Sequence, residues 1–155
     1  VSDQDMPPCF IFIDKEGHWF HKGTEMIRRD IVRFFYDHLG VDSLGRYVIR
    51  WGEERCHLDV EDTPFVVHKV SFEEIDLMQN FRLFLSDDTD EILNPETLFV
   101  GAENVLYCEV KQREFPARFL RSAYYQMTDF VREEEGEFHL PLNGKKYLIR
   151  PKNSE

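Results

Sequence analysis

Apolar positions change their spacing several times along this 155-residue chain, and each change marks an element. Residues 9–13 (CFIFI) alternate weakly and are β-prone. Asp14-Lys15-Glu16-Gly17 predicts a turn, and residues 18–21 (HWFH) the returning strand. On that strand Trp19 and His21 share one side, and His18 and Phe20 the other. From Ile27 the period becomes helical. Ile27, Ile31, Phe34, Phe35 and His38 or Leu39 recur on one face, with Arg29, Arg33 and Asp37 on another. Asp30 is the expected N-cap, Thr24 the competing start, and Gly40 the expected stop.

Strand spacing returns at 45–51, and Gly52-Glu53-Glu54 folds it onto a partner at 55–60. Glu61-Asp62-Thr63-Pro64 is a turn, because Pro64 restricts Thr63 to an extended conformation. Residues 65–72 predict a strand, and 81–85 alternate as a half-buried one. Residues 73–79 read equally as a helical turn or a loop. The acidic run SDDTDE (86–91) predicts a solvated hairpin tip. Asn94-Pro95-Glu96 turns the chain again, and 98–100 and 105–110 are strands around a turn at 101–104. Residues 1–8, ending in Pro7-Pro8, predict an extended lead-in, and 151–155 a frayed tail.

One stretch recurs. ARFLRSAYYQMTDFV (117–131) lies over the segment ending IRRDIVRFFYDHL (27–39), with Arg29 on Arg121 and Asp37 on Asp129. The residue after each arginine is of capping type, Asp30 in one copy and Ser122 in the other. A glycine-led hairpin follows each helix, the second carrying the two-residue turn Asn143-Gly144. The reading is an α+β fold of two repeated units, each of antiparallel strands plus one helix, at 9–70 and 71–151.

Composition narrows the partners. The net charge is −11, so a clustered basic surface for nucleic acid is not expected, whereas two or three arginines suffice for a small phosphorylated ligand. No run approaches the roughly 18 apolar residues of a membrane span. Three cysteines at long spacings, without CxxC, predict reduced thiols packed as small apolar groups. VSDQDMPPCFIFI lacks the parts of a secretory signal, and the expectation is a cytoplasmic protein.

Catalytic and metal chemistry find little support. His18 and His21 fall on opposite faces of a strand, and HExxH and paired-cysteine spacings do not occur, so no metal or cofactor is expected. The acidic run lacks the glycine and final glutamate of a calcium loop. Glu61 and Asp62 are adjacent and do not face each other as an acid pair would; Asp62 reads instead as an acceptor of backbone N–H bonds. P-loop, GxSxG and GxGxxG motifs are missing, and the reading leans against an enzyme.

Arginines at equivalent helix starts, Arg29 and Arg121, suggest an anion site, since a helix N-terminus offers unpaired N–H groups and partial positive charge. Trp19, Tyr124 or Tyr125 would stack on a base. The alternative is that the arginines tie the helices to acidic residues such as Asp59 and Asp62.

GHWFHKG, the IxR before the RFF helix, GRYVIR and VEDTPFVV resemble the bacterial domain-of-unknown-function family 1285. ARFLRSAYY resembles that family's segment before its second helix. Thr63 stands where the family has alanine, and RWGEER replaces its usual first hairpin. The resemblance implies a duplicated core whose C-terminal half is pleckstrin-homology-like, with a nucleotide-like ligand between the halves and a role in signal transduction. The candidate ligand-binding residues are then Trp19, His21, Arg29, Asp62, Arg118 and Arg121. A protein-interaction module without a small ligand is the second reading, and a hydrolase the last.

Overall fold

The structure, a computed structural model, describes residues 6–151. The lead-in and tail expectations therefore lie mostly outside the described residues. The chain divides into two compact units at Thr63/Pro64. Residues 65–70, grouped by sequence with the N-terminal unit, lie in the second, because their strand pairs there on both sides.

The first unit comprises β1 (Pro8–Ile13), β2 (Trp19–His21), β3 (Thr24–Glu25), α1 (Arg29–Asp37), β4 (Leu39–Val41), β5 (Tyr47–Trp51) and β6 (Glu54–Val60). Its sheet runs β3-β2-β1-β6-β5-β4 and is antiparallel except for β1 beside β6. The helix starts two residues later than the apolar spacing suggests, so its buried stripe is Val32 and Tyr36, four apart, flanked by Ile31 and Phe35. Ile27 lies before the helix and is exposed, and Phe34 stands at the surface.

Neither proposed cap holds. Arg28, with extended backbone, is the cap residue, and Asp30 lies inside the first turn, where it accepts from Arg28 Nη2 at 2.6 Å. At the other end the His38 N–H bonds back to Phe35, and its Nδ1 meets the Phe34 carbonyl oxygen at 2.7 Å. Gly40 is thus not a helix stop. It is a strand residue opposite Val48, where a Cβ would stand 2.6 Å from Arg50 Nη1.

The β4–β5 connection is organised by Asp42, a buried carboxylate the sequence reading passed over. It accepts from the Leu44 and Arg46 amides at 2.9 and 2.8 Å and from Arg46 Nε at 2.9 Å. Burial raises its pKa, but these bonds outweigh burial and hold the carboxyl below its ordinary value. A carboxyl depressed on folding adds stability that is complete above its unfolded pKa of about 4 and lost as pH falls through the lower folded value. The gap in melting temperature between wild type and Asp42→Asn should therefore be constant near neutrality. It should close as the pH falls from about 4. A gap that does not change with acid would disprove the assignment.

The second unit comprises β7 (Phe65–Ile75), β8 (Met78–Leu85), β9 (Asp90–Ile92), β10 (Phe99–Val100), β11 (Leu106–Val110), β12 (Phe115–Phe119), α2 (Arg121–Thr128), β13 (Arg132–Glu134), β14 (Glu137–Leu142) and β15 (Lys145–Pro151). The order is β13-β14-β15-β10-β11-β12-β7-β8-β9, with β10–β15 and β12–β7 parallel. The part from β13 to β12 has the order of the first sheet: three strands, a helix, three strands, and the first strand parallel to the last. β7, β8 and β9 extend it. Phe65, Phe81, Leu83, Met127 and Leu140 form its core.

The ambiguous stretch 73–79 is strand on both sides of a two-residue turn at Asp76-Leu77, both in the left-handed region. Without glycine or asparagine there, the turn gave no sequence signal. The Asn143-Gly144 turn forms as expected and is clasped from β8: Gln79 N–H donates to Asn143 Oδ1 at 2.7 Å, and Asn143 Nδ2 to the Gln79 carbonyl at 2.9 Å.

The acidic tip is not solvated throughout. Asp87 is only 6% exposed and meets Lys111 Nζ at 2.8 Å, while the Lys111 amide bonds Glu91. Lys111 arrives from the β11–β12 loop, a neighbour the local sequence does not announce.

Candidate functional site

Trp19 opens β2 and points inward, 2% exposed. Its ring lies parallel to Phe35 at 6.2 Å and edge-on to Tyr36 at 4.7 Å, so α1 occupies the face on which a base would stack. Trp19 Nε1 is buried without a hydrogen-bond partner. His21, two residues on, is exposed at the strand end opposite Thr24. The two residues are two apart on one strand as expected but differ in burial, because His21 lies at the strand's end.

Arg29 is the first residue of α1 and exposed. Asp62 is half-buried in the turn before Pro64. Together with burial, its charge pushes the Tyr47 hydroxyl up. Beside it Glu61 has a structural task, accepting the Lys15 N–H at 2.9 Å. This fixes the Asp14–Gly17 turn, within which Asp14 accepts from the Glu16 and His18 amides.

In the second unit Arg118 is half-buried on β12, opposite Tyr107 and Val66. Arg121 is exposed and is the first residue of α2. The residue before it, Leu120, caps with extended backbone and no side-chain bond, so Ser122, like Asp30, is inside its helix and is not a cap. Both helices therefore begin on the aligned arginine, and neither has a side-chain cap. The Gln126 side chain accepts the Val70 N–H at 2.7 Å, fixing α2 against β7.

A groove of about 790 Å³ lies within the second unit. Tyr124 and Thr128 of α2 form one wall; Phe138, Leu148 and Arg150 of β14 and β15 form another. Arg121 precedes Tyr124 by three residues, which puts both on one helical stripe. Tyr125 is exposed and meets Tyr124 edge-on at 5.6 Å. Sequence reasoning found Tyr124 but not Arg150, which lies in an ordinary strand, β15, and carries no motif. The groove offers an aromatic ring and a guanidinium, the elements of nucleotide recognition, but Glu133 and Glu137 also line it.

Among the described residues no group of three or more His, Cys, Asp or Glu is placed to hold a metal. Cys108 is fully buried on β11, and burial pushes its thiol far up, out of reach of thiolate chemistry. Cys9 and Cys56 depart from the expected free thiols: they form a disulfide between β1 and β6, with Cα atoms 5.0 Å apart. Their separation of 47 residues gave no pairing signal; strand adjacency brings them together.

A crystal structure of a DUF1285 family protein from Silicibacter pomeroyi DSS-3 matches with a TM-score of 0.76 at 21% identity, over 95% of this chain and 80% of that one. This chain has the DUF1285 fold. A second DUF1285 family protein, from Shewanella baltica OS155, matches with a TM-score of 0.64 at 19% identity, over 79% of this chain and 91% of that one. No family model and no curated protein matches the sequence. At such identities the DUF1285 likeness carries architecture, not ligand or activity. No helix is long and apolar enough to cross a membrane among the described residues.

Proposed function

We propose that this DUF1285-fold chain is a duplicated ligand-binding module, not an enzyme, that takes a small anionic or nucleotide-like ligand and acts in signal transduction. One observation carries the reading. In each unit the helix after the third strand of the common order starts on an arginine, Arg29 or Arg121, and the residue before it makes no side-chain cap bond. The partial positive charge of a helix N-terminus and a guanidinium beside it favour an anion. The matching strand order supports an ancestral doubling, and the second unit is read as pleckstrin-homology-like on family resemblance. His21 and Asp62 are proposed to border ligand in the first unit, and Arg118 in the second. Trp19 is kept as a supporting residue behind it. A cytoplasmic site of action belongs to this reading and requires the Cys9–Cys56 pair to open under reducing conditions.

Thermal shift against inorganic phosphate, AMP, ATP and cyclic nucleotides tests it. A ligand at a hundred times its dissociation constant adds about 2.7 kcal/mol and raises the melting temperature measurably. Arg29→Ala and Arg121→Ala should each reduce the shift, while their unliganded stabilities stay within about 1 kcal/mol of wild type because both side chains are exposed. A shift retained in both variants places the ligand elsewhere. No shift with any of these compounds favours the interaction module.

A further inference from the structure

The Cys9–Cys56 disulfide coincides with an irregularity in the sheet. β1 and β6 are parallel neighbours, but Pro8 to Phe12 of β1 runs against only His57 to Asp59 of β6, so β1 bulges between. Within the bulge Phe10 has φ 60°, a left-handed conformation that a bulky residue resists. Its ring is 58% exposed, and Lys22 Nζ stands 5.5 Å from its centroid. Phe10, Phe12, Phe20 and His57 line a hollow of about 570 Å³ beside the cross-link. Cys9 and Cys56 are each half-buried, within reach of a small thiol or disulfide.

Two backbone bonds hold the bulge besides the disulfide: His57 N–H to the Pro7 carbonyl at 3.0 Å, and Lys22 N–H to the Phe10 carbonyl at 2.9 Å. We propose that Cys9 and Cys56 form a reversible cross-link that holds β1 in its bulged form, so that the thiol–disulfide state of the surroundings sets the shape of the Phe10–Phe12 hollow. Closure proceeds by exchange with a small disulfide such as oxidised glutathione. One cysteine thiolate attacks it and releases a first thiol. The second thiolate then attacks the mixed disulfide and releases another. Two protein thiols become one disulfide, and their two electrons and two protons leave with the glutathione. In the reduced state Phe10 relaxes out of the left-handed region and the edge of β1 before Ile11 loosens.

Three measurements test the coupling. Alkylation of folded protein after equilibration with oxidised glutathione, followed by intact mass, should leave Cys9 and Cys56 unlabelled; after reduction both should label, and Cys108 in neither state. Equilibration in glutathione buffers should show Phe10→Gly favouring the disulfide about fivefold to tenfold over wild type, because glycine removes the left-handed cost. Hydrogen exchange at the Lys22 amide should accelerate about tenfold on reduction, and equally in Cys9→Ser without reductant. Labelling of both cysteines after equilibration with oxidised glutathione overturns the proposal. So does an equilibrium constant unchanged in Phe10→Gly, which keeps both cysteines, or a Lys22 exchange rate indifferent to redox state.

Discussion

Trp19→Ala should destabilise the first unit by about 3–5 kcal/mol, the usual cost of emptying a large aromatic site in a packed core. The indole packs against Phe35 and Tyr36 and is the largest fully buried side chain among the described residues. Its removal leaves α1 without the surface it packs on. Trp19→Phe makes the sharper comparison. Phenylalanine keeps an aromatic face and removes Nε1, a buried donor with no partner. An unsatisfied buried donor costs about 1–3 kcal/mol, which offsets much of the lost packing. Trp19→Phe should therefore lie within about 1.5 kcal/mol of wild type in urea unfolding followed by circular dichroism. If the two variants fall equally far, the indole N–H is not an orphan. If Trp19→Phe preserves the melt but removes a nucleotide-induced shift, the indole touches ligand and its place behind the site is wrong.

Cys56→Ser should cost about 4 kcal/mol, on the chain-entropy account of a cross-link closing a loop of this length. The 47-residue separation spans nearly the whole first unit, so the unfolded chain is constrained across β1 to β6. Reductant should lower the urea midpoint of wild type to that of Cys56→Ser and leave the variant unmoved. Cys108→Ser provides the contrast. It puts a hydroxyl in an apolar site on β11 of the second unit, and its melt should keep full sensitivity to reductant. A wild-type midpoint independent of reductant would show that the cross-link does not contribute.

These effects lie where the sequence was least informative. The strands and hairpins marked by glycine and asparagine, at 52–53 and 143–144, were legible because those residues take positive φ at little steric cost. The Asp76-Leu77 turn uses the same backbone region without such residues, and so gave no signal. The helix in 27–39 was found by its period, but its buried stripe was displaced. Where α1 begins depends on the extended backbone at Arg28, not on the pattern of apolar residues. The same limit made Asp30 and Ser122 look like caps when each lies in a first turn.

Of the proposed site, the arginines were the readable part. Arg29 and Arg121 could be aligned because each precedes a helical period, and both do stand at a helix start. Trp19 was placed correctly on a strand, but aromatic character alone does not distinguish a ring open to ligand from one covered by Phe35 and Tyr36. Arg150 and the Tyr124 groove come from strands and a helix folding beside one another.

By itself the sequence determined the α+β class, most of the elements, and the pair of arginine-led helices, because period, turn chemistry and charge act over a few residues. Only the tertiary structure decided which of these elements meet. It paired Cys9 with Cys56, buried Asp87 against Lys111, and gave β10 to β15 the strand order of the first sheet. Each of those depends on neighbours tens of residues away, whose approach no local spacing encodes.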